Sequence, residues 1–172
     1  MPINYPLAIL LFVALGFVFI AFWPMFTGAN WQPTSMKRVR AMLRMAGVSR
    51  RDYVYDLGFG DGRIIFTSME EFHAKAGGVE IEPVKFIAAK IYAKWKGLKP
   101  DLKLGSVYGA NVSNATVVTI FMSSIAHRLL RKKLENLKKG TKIVTYYWKF
   151  PDWKPVKVDE KLKIYLYEVG KL

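Results

Sequence analysis

Ten residues constrain this chain more than any others: Val54-Tyr55-Asp56-Leu57-Gly58-Phe59-Gly60-Asp61-Gly62-Arg63, a short apolar strand that runs into three alternating glycines and then a helical pattern. Three missing Cβ atoms let the backbone turn sharply and let a ligand lie directly against main-chain N–H groups. Spacing selects the ligand. A dinucleotide fingerprint places its third glycine three residues after the second, where this chain has Arg63, so that reading fails. Twenty-two residues past Gly58 the apolar run Gly78-Val79 ends in Glu80. A second strand presents an acid to ribose hydroxyls at that point in nucleoside-binding α/β folds.

The flanking patterns fit an alternation of strands and helices. Thr34 or Ser35 can cap a helix whose apolar face is Val39, Met42, Leu43 and Ala46 and which Gly47 ends. Tyr53 to Leu57 reads as the first strand, Arg63 to about Phe72 as a helix, and Gly77 to Ile81 as the second strand. Pro83 opens a helix with Val84, Ile87, Ala88, Ile91 and Trp95 on one face, expected to pack inward. Strands follow over Leu102 to Val107, Ala115 to Phe121 and Thr141 to Trp148, with a basic helix over Ile125 to Leu137 before the last of these. Two further β-like runs, Val156 to Val158 and Leu162 to Val169, are joined by Asp159-Glu160-Lys161 as a hairpin. Five β/α units and this hairpin give seven strands.

Residues 6–26 are an unbroken apolar run, and about 20 such residues as a helix cross the hydrocarbon core of a bilayer. The sequence therefore predicts a single-pass anchor over residues 1–30 ahead of a domain at 31–172. A cleaved signal peptide is the rival, but no basic residue precedes the run and no small-x-small site directly follows it. Trp23 and Trp31 suit the headgroup belt. Lys37, Arg38, Arg40, Arg44, Arg50 and Arg51 precede the first acid, Asp52, which would hold the domain on the cytoplasmic side beside anionic lipid. The net charge of +14 lies wholly after residue 36 and favours anionic partners, nucleic acid among them. With no cysteine, disulfides and thiolate metal sites are excluded, and His73 and His127 make no metal-ligand spacing; both read as helix-surface or boundary residues.

The array Asp56-x-Gly58-x-Gly60-x-Gly62 with Glu80 resembles motif I and the ribose acid of the class I S-adenosylmethionine-dependent methyltransferases. That resemblance implies an α/β Rossmann-like sheet in the order 3-2-1-4-5-7-6, its last strand antiparallel. Gln32-Pro33-Thr34, Gly78-Val79-Glu80-Ile81, Ala115 to Thr119 and Leu137 to Thr141 narrow it further. With them the chain is similar to the small archaeal protein-lysine methyltransferases and the mitochondrial membrane-anchored enzymes that methylate lysines of inner-membrane proteins. It implies S-adenosyl-L-methionine as cofactor and a protein lysine as substrate. Gly58, Gly60 and Gly62, with Asp61 beside them, would make the close backbone approach. Asp56 and Thr34 would serve the methionine end, Glu80 the ribose, Ile81 the adenine face, and Ser106 with Val107 the adenine edge. Ser106 stands where the family commonly has Asp or Asn.

A lysine ammonium has no lone pair, so the site must favour its neutral form through an apolar or cationic setting. Phe121 and Tyr146, with Tyr147 and Trp148, end strands four and five, where such a fold opens its substrate channel. Phe121-Met122-Ser123-Ser124 lacks the acid or asparagine and paired prolines that hold an exocyclic base amine, which weakens a nucleic-acid base as substrate. A lipid or isoprenoid methyltransferase, an RNA methyltransferase, and a non-catalytic scaffold on the same fold are the alternatives.

Overall fold

The computed structural model describes the backbone of residues 5–27 and 34–172 and the side chains of residues 5–16 and 34–172. The chain divides after Pro33 into two compact units. The first contains one helix, α1 (Tyr5–Thr27). A span needs about 20 apolar residues in one helix, and among the described residues no helix is long and apolar enough to cross a membrane. The expected single-pass anchor over residues 6–26, with the cytoplasmic facing drawn from it, is corrected accordingly. The headgroup role expected of Trp23 and Trp31 rests on side chains outside those the structure describes.

The second unit carries the sheet. Its strands are β1 (Tyr53–Leu57), β2 (Lys75–Glu80), β3 (Asp101–Leu104), β4 (Val117–Ile120), β5 (Lys142–Tyr146), β6 (Lys157–Asp159) and β7 (Ile164–Glu168). They lie in the order β3-β2-β1-β4-β5-β7-β6. β1 pairs in parallel with β2 and β4, β2 with β3 and β4 with β5; β7 runs antiparallel to both β5 and β6. The seven-stranded order expected from the sequence is the one observed.

Alternation along each strand divides the core in two. Val54, Ala76, Val117 and Val144 face α2 (Met36–Met45), α3 (Arg63–Glu70) and α4 (Pro83–Trp95). Tyr55, Val79, Val118 and Ile143 face the other way, toward α5 (Ser124–Glu135) and the loop that carries Phe150 and Trp153. Lys142 Nζ donates to the Ala46 carbonyl at 2.6 Å, satisfying a carbonyl at the end of α2. Ser35 takes the N-cap position of α2 without a side-chain bond, whereas Ser123 caps α5 by accepting from Ala126 N–H at 3.4 Å.

Three expectations change. The stripe of α4 read as inward, Val84, Ile87, Ala88, Ile91 and Trp95, points outward, and Ala89 and Ala93 are buried instead. Periodicity reports a stripe, but a helix with two apolar stripes gives no sign of which one meets the sheet. His127, expected at a surface or boundary, is fully buried and stacks on Phe150 at 4.7 Å between ring centroids. The bases expected to meet anionic lipid are in part committed within the domain. Arg40 pairs with Glu71 at 2.8 Å, and the Arg38 guanidinium lies 5.0 Å from the Tyr146 ring centroid.

Candidate methyl-transfer site

The carboxyl ends of β1 to β5 converge on one edge, and the glycine turn sits at its centre. Gly58, Gly60 and Gly62 have φ of 80°, 59° and 80°, left-handed values that favour glycine. Gly58 N–H donates to the Val79 carbonyl at 2.9 Å, and Gly62 N–H to the Phe59 carbonyl at 2.8 Å. A Cβ at Gly62 would stand 2.5 Å from Phe66 Cε2, so space as well as conformation selects glycine there.

Glu80 closes the turn from the side. One carboxylate oxygen accepts from Gly60 N–H at 2.8 Å and the other from Glu82 N–H at 2.9 Å, while the side chain stays buried. Two charge-assisted bonds thus hold the acid against the turn. Gly105 N–H donates to the Glu80 carbonyl at 2.9 Å, which brings the Ser106-Val107 segment to the same place. β3 ends at Leu104, earlier than the expected Val107, so both residues lie in the following loop. The Ser106 hydroxyl accepts from Tyr108 N–H at 3.3 Å, and Ile81, next to Glu80, is exposed.

Asp56 is buried at the end of β1 and accepts from the Thr119 hydroxyl at 2.7 Å. Burial pushes its carboxyl up to about 7; the Thr119 bond opposes that rise, and the charges of Glu80 and Asp61 add to it. Burial likewise pushes Asp61 up, but hydrogen bonds from Arg63 and its charge outweigh that and hold the carboxyl below its usual range. Arg63 Nη1 also donates to the Thr34 carbonyl at 2.6 Å. The chain Asp61–Arg63–Thr34 therefore ties the entry of α2 to the glycine turn.

A second cluster lies beyond β4 and β5. The rings of Phe121 and Tyr146 are 4.6 Å apart, with Arg38 on Tyr146. Tyr147 and Trp148 continue it, 5.2 Å apart and exposed. Tyr147 has φ of 70°, a left-handed conformation rare for an aromatic residue, and its N–H donates to the Lys163 carbonyl at 2.8 Å. Met122 joins the two clusters: a Cβ built on Gly58 would lie 3.9 Å from its sulfur. A cavity of about 530 Å³ opens beside Ser106 and runs along Tyr53, Tyr55 and Asp101, where the segment between β3 and β4 carries no helix.

The expected site residues thus gather in two neighbouring groups: Thr34, Asp56, the glycines, Asp61, Glu80, Ile81, Ser106 and Val107 in one, Phe121 and Tyr146 in the other. Sequence reasoning missed Thr119, Arg38 and the bridging role of Arg63. Arg63 had a signal, as the residue that breaks the dinucleotide spacing; Thr119 had none, because only strand pairing sets it beside Asp56. The positive-φ glycines, the buried acid bonded to Gly60 and the exposed Ile81 fit a nucleoside-bearing ligand.

A sheet of this order with this turn and acid defines the class I S-adenosylmethionine-dependent methyltransferases. Within them, residues 56–157 match the ANTKMT methyltransferase domain, and the chain belongs to that family. It is 38% identical over 148 residues to a protein-lysine N-methyltransferase of Saccharolobus islandicus, covering 80% of this chain and 92% of the relative. Among solved structures, an RNA methyltransferase from Salinibacter ruber in complex with S-adenosyl-L-homocysteine superposes with a TM-score of 0.77 at 32% identity. That match covers 80% of this chain and 94% of the other. The chain is an S-adenosylmethionine-dependent methyltransferase.

Proposed function

We propose that the acceptor is a lysine side chain of a protein. The observation that carries this reading is the aromatic wall of Phe121 and Tyr146 with Arg38 behind it, in a chain whose curated relative is a protein-lysine N-methyltransferase. When bound, S-adenosylmethionine supplies a methyl group on a sulfonium, open to in-line attack by an aligned nucleophile. Gly58, Gly60, Asp61 and Gly62 make the close approach, Asp56 and Thr34 take the methionine end, and Glu80 takes the ribose. Ile81 covers the adenine, with Ser106 and Val107 at its edge.

The aromatic rings strip water from an entering amine, and the fixed charge of Arg38 beside them disfavours a second cation. Both effects lower the amine's pKa and favour the neutral nucleophile. The test is transfer from radiolabelled methyl donor to separated protein and RNA fractions. Acid-stable label in methyllysine is the expected result. A second reading, methyl transfer to RNA, is favoured by the likeness to the Salinibacter ruber enzyme and by the net charge of +14. Label confined to RNA would establish it and remove the first.

A further inference from the structure

α4 has two apolar faces, and only one is used by the core. Ala89 and Ala93 lie against the sheet side, and Tyr92 packs on Phe66 at 4.5 Å between centroids. On the opposite side Val84 is 50% exposed, Ile87 54%, Ile91 65% and Trp95 76%. Exposure of this kind along one helix is costly in water, and a contiguous patch of it marks a binding surface.

The spacing identifies the shape of what binds. Val84, Ala88, Ile91 and Trp95 follow steps of four, three and four residues, the alternation that forms a seam between two helices. Small Ala88 between Val84 and Ile91 leaves a hole for an incoming side chain. Trp95 is exposed yet fixed, with Tyr92 edge-on at 5.9 Å and the Lys96 ammonium 5.1 Å from its ring. A held aromatic side chain loses little freedom on binding, which is the character of an anchor.

The charge identifies the partner's chemistry. α4 contains no acidic residue, and Lys85 and Lys94 stand at the two flanking positions of the seam, with Lys90 further out. Lys85 pairs with Glu82 at 2.6 Å, so Lys90 and Lys94 set the field on the other flank. A second copy of the chain would bring like charges together across a two-fold axis. The steps of four, three and four with small Ala88 as a hole suit the side chains of a facing helix, a requirement that a lipid surface does not impose. We infer that the outer face of α4 docks an amphipathic helix of a partner protein, with aliphatic seam residues flanked by Asp or Glu.

The experiment uses the full chain and two synthetic helical peptides, each three heptads with Leu at the seam, one flanked by Glu and the other by Lys. Fluorescence anisotropy should show the Glu-flanked peptide binding about tenfold tighter or more, a gap that narrows with salt. Ile91→Glu should weaken that binding by about tenfold while leaving the melting temperature and S-adenosylhomocysteine affinity unchanged. Lys90→Glu with Lys94→Glu should reverse the preference. Leu129→Glu, at an exposed apolar position on α5, should leave binding intact. The inference is overturned if neither peptide binds, if both bind equally, or if Leu129→Glu weakens binding as much as Ile91→Glu. It also fails if phosphatidylglycerol vesicles bind through Ile91 while the Glu-flanked peptide does not. Sedimentation showing a dimer that Ile91→Glu dissolves would assign the face to a second copy instead.

Discussion

The two halves of the functional edge are held by different means. Around β1, β2 and β3 the backbone does most of the holding: left-handed glycines, main-chain bonds to Val79 and Glu80, and a carboxylate shared between two N–H groups. Around β4 and β5 side chains do it, through Phe121 on Tyr146, His127 on Phe150, and Trp153 3.9 Å from Phe150. Main-chain geometry fixes one ligand shape. Ring packing holds the other half through side-chain contacts, whose geometry depends on the identity of each ring.

Acidity separates the halves with the largest expected effect. Burial pushes His127 down to about 4 from 6.5, so between those values the unfolded chain binds a proton that the folded chain does not. The stability from neutral His127 is present above pH 6.5 and is lost as pH falls toward 4, by about 3 kcal/mol. Asp56 runs the other way. Its pKa rises from 3.8 to about 7, so its contribution is present below pH 4 and is lost as pH rises through 7. Urea unfolding across pH should show His127→Phe flattening the acid limb and Asp56→Asn the neutral limb. If one substitution flattened both, the two halves would not be independent.

Gly78→Ala tests the backbone side. Its Cβ would lie 2.6 Å from the Asp56 carbonyl oxygen, and overpacking of this kind costs about 1–3 kcal/mol in urea unfolding. Glu80→Ala should weaken S-adenosylmethionine binding by about 1–3 kcal/mol through loss of a charged acceptor; equal affinity by calorimetry would remove Glu80 from the cofactor site. Phe121→Ala sharpens the contrast from the other side. Turnover should fall by roughly tenfold through poorer alignment of the acceptor, with cofactor affinity unchanged. An unaltered rate would take Phe121 out of the channel.

The same division governs what could be read before the structure. Backbone requirements leave marks in sequence: Gly58, Gly60, Gly62 and Glu80 stand out because few other residues meet them, and the apolar patterns marked the strands, while their order came from the family resemblance those residues carry. Side-chain partnerships do not. Thr119 meets Asp56 only through the pairing of β1 with β4. The burial of His127 depends on Phe150, twenty-three residues further on, and nothing near His127 in the chain signals it. α4 was legible as a helix but not in its facing, since both of its stripes are apolar. Residues 6–26 carry apolarity enough for a helix, and α1 is one, but composition alone did not decide how it is used.

Gly77 and Gly78 carry a consequence of their own. A Cβ at either would come within 2.6 Å of a main-chain oxygen, that of Asp101 or Asp56. Slippage of β2 by a single step would bring Ala76 or Val79 into one of those gaps and collide. The distance from the turn to its acid is thus measured out by collision, like a key whose bitting admits one depth of insertion.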